Sequence, residues 1–119
     1  MEITDSHTTR HARALAALGH DARLAIFRLL VRAGEPGLTV GQISEHLGFA
    51  ASTQAHHLRT LSQAGLITQQ KNGREVINRA DFDAMRALTA FLTEECCAGF
   101  VAADTAPEVA VRDRLDTAR

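Results

Sequence analysis

The stretch from Thr39 to Asn78 leaves the chain few folds to choose from. Thr39 can cap a short helix, Val40 to Leu47, which Gly48 closes. After Phe49 a second helix, roughly Ala51 to Ala64, stops at Gly65. Two short helices joined by a tight turn around Gly48-Phe49, with Leu47, Leu58, Leu61 and Leu66 free to pack inside, outline a helix-turn-helix. In that motif the second helix is the one that enters a DNA major groove. Directly afterwards, Leu66 to Lys71 and Arg74 to Asn78 read as strands on either side of Asn72-Gly73. Asn-Gly between strand-like runs is the strongest short hairpin signal, because both turn positions need positive φ. A hairpin in that place is a wing.

The flanks supply helices. His7 to Leu18 reads as a first helix ended by Gly19, and Asp21 is expected to cap a second with a broad apolar face from Leu24 to Val31. Gly34 to Gly37 is a loop. Asp81 is expected to cap a last helix from Phe82 to about Glu95, with Met85, Leu88, Phe91 and Leu92 on one face. The expectation is a mainly α fold with a small β-hairpin wing. Residues 1–99 should form one domain, and residues 100–119 an acidic, Ala-rich tail that frays. A chain of 119 residues suits a single core. The opening residues lack the apolar run of a secretory signal, and no stretch is long enough to span a bilayer. A soluble, cytoplasmic protein without membrane contact is expected. The two cysteines are adjacent, Cys96-Cys97, and are better read as thiols than as a staple.

The net charge of −1 does not suggest a nucleic-acid binder, but its distribution does. From Ala50 to Ala80 the bases are Arg59, Lys71, Arg74 and Arg79, against Glu75 alone, whereas acids dominate after Glu94. Ser52, Thr53, Gln54, His56 and His57 are the candidates for reading base edges from the second helix of the motif. Arg59, Lys71 and Arg74 are candidates for phosphate or minor-groove contacts. Adjacent helical residues diverge by about 100°, so His56-His57 makes a poor metal chelate, and His57 reads equally well as a half-buried, hydrogen-bonded structural residue beneath the helix. One such motif offers little contact area and usually dimerises to reach two half-sites. Leu15 and Leu18 on the first helix, with Leu88, Phe91 and Leu92 on the last, are the expected dimer interface; packing within one subunit is the alternative. We find no nucleophile–base pair, phosphate loop or Cys-x-x-Cys, so an enzyme is not expected and no obligatory cofactor is implied.

Longer motifs point to a family. ALGHDARLAIFRLL (Ala17–Leu30), GQISEHLGFAASTQAHHLRTLSQAGLI (Gly41–Ile67) and KNGREVI (Lys71–Ile77) resemble the opening helix, helix-turn-helix and wing of ArsR-type metalloregulatory repressors. ADFDAMRALTAFLTEECCAG (Ala80–Gly99) resembles the last helix of arsenical-sensing members that carry a cysteine pair near its end. Three departures accompany the resemblance. The Cys-x-Cys box that many members carry is replaced by Leu38-Thr39-Val40-Gly41-Gln42, and no His follows His57 to build a last-helix metal site. Ala50 and Ala51 stand where Ser and Gln are frequent, and Gln54 stands where Val is common.

The resemblance implies a winged-helix repressor that binds double-stranded operator DNA as a homodimer and is released by an inducer. It implies that Cys96 and Cys97 bind a trivalent arsenical, with antimonite second. Neighbouring Cα atoms lie about 3.8 Å apart, so both sulfurs can reach one soft centre at a helix end. Two thiols satisfy an organic arsenical with two exchangeable positions, whereas arsenite needs a further ligand. Zinc wants four ligands. Copper(I), a redox switch through a strained neighbour disulfide, two structural cysteines, and a non-sensing regulator of the same fold all remain open readings.

Overall fold

The structure, a computed structural model, describes residues 6–100. Its elements are α1 (Ser6–Leu18), α2 (Asp21–Ala33), β1 (Leu38–Thr39), α3 (Val40–Leu47), α4 (Ala51–Gln63), β2 (Ile67–Asn72), β3 (Glu75–Ala80) and α5 (Phe82–Thr93). The chain divides at Leu88 into two compact units. The core described below belongs to the first. The expected tail after Gly99 lies, apart from Phe100, outside the described residues.

Helix α2 organises the first unit: α1, α3, α4 and β3 all pack against it. Its inward residues Ile26, Phe27 and Leu30 recur at helical spacing, and Ile26 and Leu30 are wholly enclosed. Around them lie Ala14 and Ala17 of α1, Ile43 of α3, Leu58 and Leu61 of α4, Leu66, Ile67, Ala80 and Leu88. Each large side chain so buried stabilises by about 1.5–3 kcal/mol relative to exposure, which outweighs any local propensity. His20, rather than Asp21, caps α2: its Nδ1 accepts the Ala22 amide at 3.1 Å. Asp21 sits in the first turn, where a carboxylate suits the positive end of the helix dipole. Thr39 caps α3 as expected, and Gln42 completes a reciprocal capping box through the Thr39 amide. Asp81 accepts the Ala84 amide at 3.0 Å and caps α5.

The sheet has three antiparallel strands in the order β1-β3-β2, one more than the hairpin expected from sequence. The extra strand is two residues long, pairing Leu38 with Asn78 and Thr39 with Ile77. In the hairpin, Asn72 pairs with Glu75, so the turn residues are Gly73-Arg74 instead of Asn72-Gly73. Among the described residues only Gly73 of that turn has positive φ, +66°, the pattern of a type II′ turn, which needs glycine at its first central position alone.

Asn78, fully enclosed in the middle strand, ties the sheet together. Its Nδ2 donates to the Leu38 carbonyl at 3.2 Å, and its Oδ1 accepts from Gln69 Nε2 at 2.8 Å. Arg79 Nε donates to the Glu35 carbonyl and its Nη1 to Gln70 Oε1, both at 2.7 Å, which fastens the wing's base to the loop before β1. Close approach at this point requires Gly37, whose φ is +69° and whose added Cβ would lie 2.5 Å from the Asn78 carbonyl oxygen. Gly73 shares a positive φ but has open space around it. Gly73→Ala should therefore cost only the left-handed backbone penalty, about 1–2 kcal/mol. Gly37→Ala should cost at least about 1 kcal/mol more, because backbone must also shift. Urea unfolding of the two variants against the parent measures the difference.

Candidate nucleic-acid interface and thiol pair

Helical periodicity sorts the residues of α4. Gln54, His57, Leu58 and Leu61, at spacings of three and four, are all buried. Ser52, Thr53, His56 and Arg59 are exposed, and Ser52, His56 and Arg59 share one face. Two residues expected to contact DNA are thereby reassigned. Gln54 is 0% exposed; its amide faces α3, accepting from Ser44 Oγ at 3.2 Å and donating from Nε2 to the Val40 carbonyl at 2.9 Å. His57 is 6% exposed and lies beneath the helix against His20, Phe49 and His56, with ring centroids 4.8, 6.1 and 5.9 Å away. Neither reaches a base edge from there.

The N-terminus of α4 is chemically open. Ala50 stands at its cap with no side-chain hydrogen bond, so the first-turn amides are left for an outside acceptor. In the wing, Lys71, Asn72, Gly73, Arg74 and Glu75 are all exposed at the tip. Arg79, though basic, is held at the wing's base by the bonds already described and does not join that surface.

The second unit carries the thiols. Cys96 donates its amide to the Thr93 carbonyl at 2.9 Å and Ala98 donates to Glu95 at 3.1 Å, turns that follow α5 directly. Cys97 has φ +63°, alone among the described non-glycine residues in being left-handed. That conformation is uncommon for a residue with a Cβ. Both thiols are exposed, and their sulfurs lie 3.3 Å apart: far from a disulfide bond, yet close enough to meet one centre. Among the described residues no cluster of three His, Cys, Asp or Glu side chains is arranged to hold a metal ion.

Relatives share this outline. The sequence profile of a helix-turn-helix domain family matches residues 18–70. The HTH-type transcriptional regulator YgaV of Escherichia coli K12 is 30% identical over 86 residues, covering 72% of this chain and 85% of that one. The structure of an ArsR-like transcriptional regulator from Rhodococcus sp. RHA1 superposes with a TM-score of 0.64 at 26% identity, over 72% of this chain and 78% of that one. The chain belongs to the ArsR family of transcriptional regulators. A Halobacterium salinarum protein, whose name provisionally assigns it as the ArsR repressor of an arsenical resistance operon, is 40% identical over 60 residues, 50% of this chain and 46% of its own length.

In this ArsR-family chain α3 and α4 are the two helices of the helix-turn-helix and the β2–β3 hairpin is the wing of a transcriptional regulator, not an enzyme. No helix among the described residues is long and apolar enough to cross a membrane. Of the residues expected at a dimer interface, Leu88 is 5% exposed and part of the subunit's own core, the alternative given for these residues above. Leu18 is half-buried against that core and Phe91 is half-buried, while Leu15 and Leu92 remain exposed at 41% and 58%.

The periodicity that buries His57 was readable in advance: it falls three residues after Gln54 and four before Leu61. Burial pushes its pKa below the ordinary 6.5, and the positive charges of His20, Arg23 and His56 push it the same way. Its Nδ1 is enclosed without a hydrogen-bond partner. The folded protein therefore holds this imidazole neutral where the unfolded chain would protonate it. Stability from His57 is full above pH 6.5 and is lost as the pH falls from there toward the lowered folded value. His57→Phe should flatten that acid slope, by a fraction of one proton's worth at most, measured as unfolding free energy against pH between about 5 and 7.5. Equal slopes in both proteins would mean that His57 takes no part.

Proposed function

We propose that the chain is a repressor that binds operator DNA as a homodimer and releases it when a trivalent arsenical closes a chelate on Cys96 and Cys97. The observation that carries the sensing half is the pair of exposed sulfurs 3.3 Å apart on consecutive residues. A tetrahedral ion with zinc–thiolate bonds of about 2.3 Å spreads two sulfurs roughly 3.8 Å apart. A pyramidal trivalent centre, with tighter bond angles, accepts a shorter bite. The chemistry is ligand exchange without oxidation. Two As–S bonds replace two As–OH bonds, and each thiol proton leaves with a hydroxide as water. An organic arsenical is fully satisfied by this pair, arsenite keeps one hydroxide, and antimonite follows the same exchange. The relative named for an arsenical resistance operon supports the choice of inducer.

In the DNA-binding half, Ser52, Thr53 and His56 read base edges while Arg59, Lys71 and Arg74 contact phosphates; their common exposure on α4 and the wing tip supports these roles. The dimer forms through α1 and α5, with Leu15 and Leu92 as large apolar side chains left exposed. Residues 1–99 make up the DNA-binding and dimerisation domain. The inducer works only through differential affinity: inverting a 99:1 occupancy takes about 5.5 kcal/mol between the DNA-bound and free forms.

Two measurements test this. On a duplex selected from random sequence by the wild-type protein, phenylarsenite should release DNA from wild type but not from Cys96→Ser/Cys97→Ser. Release by peroxide alone, or indifference to every arsenical, would remove the sensing claim. On the same duplex, Lys71→Ala and Arg74→Ala should each make the log–log dependence of affinity on salt shallower by about two, one phosphate contact being lost from each wing of the dimer. An unchanged slope would take the wing off the phosphates.

A further inference from the structure

The recognition helix is seated by one buried amide. Helices α3 and α4 both pack on α2, and among the described residues the side-chain hydrogen bonds joining α3 to α4 all pass through Gln54. Apolar contacts such as those of Leu58 and Leu61 are non-directional and tolerate small rotations and slides of a helix. Hydrogen bonds at 2.9 and 3.2 Å fix distance and angle together. The position is also the one where α4 most needs fixing. Its cap residue, Ala50, contributes no side-chain bond, so only the helix's own backbone bond from the Gln54 amide to the Ala50 carbonyl, at 2.9 Å, closes the first turn that carries Ser52 and Thr53. Gln54 follows directly after them, wholly enclosed, and reaches across to both the carbonyl that opens α3 and a hydroxyl one turn further on. Enclosing an amide costs free energy unless it is hydrogen-bonded, so the bonded geometry is the one this sequence favours, and alternatives with the amide unpaired are disfavoured.

We infer that Gln54 is the positioning residue of the DNA-binding surface: it touches no DNA but sets the rotation and depth at which α4 presents Ser52, Thr53 and His56. This rests on reading α4 as the recognition helix. The amide supplies one acceptor, for Ser44, and one donor, for Val40. A glutamate keeps the acceptor at any pH but supplies the donor only when protonated; ionised, it sets a negative oxygen against the Val40 carbonyl. A leucine fills similar space and offers neither.

The test uses the full chain and a duplex selected from random sequence by wild type, with affinity followed between pH 6 and 8.5 and unfolding measured alongside. Gln54→Leu should remain folded and lose roughly tenfold or more in affinity. Gln54→Glu should bind worst at pH 8.5 and approach wild type as the pH falls, so that the ratio of the two affinities changes with pH. Ser44→Ala, a milder change at a half-buried site, should weaken binding less than Gln54→Leu and add little to it in the double variant. Wild-type affinity in a folded Gln54→Leu would overturn the role of Gln54 while leaving α4 as recognition helix. A wild-type protein that selects no duplex would overturn both.

Discussion

Every functional surface in the first unit depends on the burial of one stripe of α2. Ile26, Phe27 and Leu30 give α1, α3, α4 and β3 a common partner. Because α4 must turn Leu58 and Leu61 toward that stripe, the opposite face is dictated: Ser52, His56 and Arg59 have to point outward. The proposed DNA-facing surface is in this sense the remainder left by core packing. What apolar burial does not dictate is fine angle, since it is non-directional. The polar groups enclosed near the core supply that second level of definition. Gln54 does so between the two helices of the motif, and Asn78 does so where three strands meet.

The wing repeats this division of labour. Its base is crowded: Gly37 lies against the Asn78 carbonyl, Asn78 bridges to β1, and Arg79 clamps the preceding loop. Its tip, from Lys71 to Glu75, is held only by the ladder between two strands and is exposed on both faces. A ribbon fixed at one end and open at the other presents Lys71 and Arg74 at a defined distance from α4 without burying either charge. Leaving both ammonium and guanidinium hydrated keeps them available for phosphate, where contact gains come mainly from released counterions. Arg79 shows why counting charges along the chain overstates that surface: a quarter of the local basic residues is spent on holding the wing rather than on reaching out from it.

Much of this could be read from the sequence because the signals were local. Thr39 and Asp81 announce their helices by side chain and position, and Gly48 and Gly65 stop theirs. The two-residue β1 announces nothing, since it exists only through pairing with a strand about forty positions away. The hairpin was legible but its register was not: Asn-Gly satisfies a turn starting at either residue, and the pairing of Ile67 with Ala80 decides between them. His20 displaced Asp21 as a cap because an imidazole nitrogen can accept an amide as a carboxylate does. The instructive misreading is Gln54, a residue type that recognises bases, assigned by type although its spacing from Leu58 and Leu61 placed it on the inner face; for His57 the buried, structural alternative is the one realised. Where type and period disagree on a helix, period wins, because moving one residue outward would carry its whole stripe with it.

The two halves of the proposed switch place opposite demands on the chain. Reading DNA calls for side chains already held in place, because any ordering deferred to binding subtracts from affinity. In α4 that ordering is done beforehand, by core leucines and a bonded amide. Sensing calls for a place where ligand changes the local free energy without first dismantling a packed core. The thiols stand on exposed turns beyond α5, with Cys97 in a backbone conformation that costs a residue with a Cβ roughly 1–2 kcal/mol. A chelate spanning consecutive residues can be favourable only if the backbone lets both sulfurs face the same way. In the structure the left-handed Cys97 and sulfurs 3.3 Å apart occur together on exposed turns, a local backbone feature at a place where packing supplies no ordering.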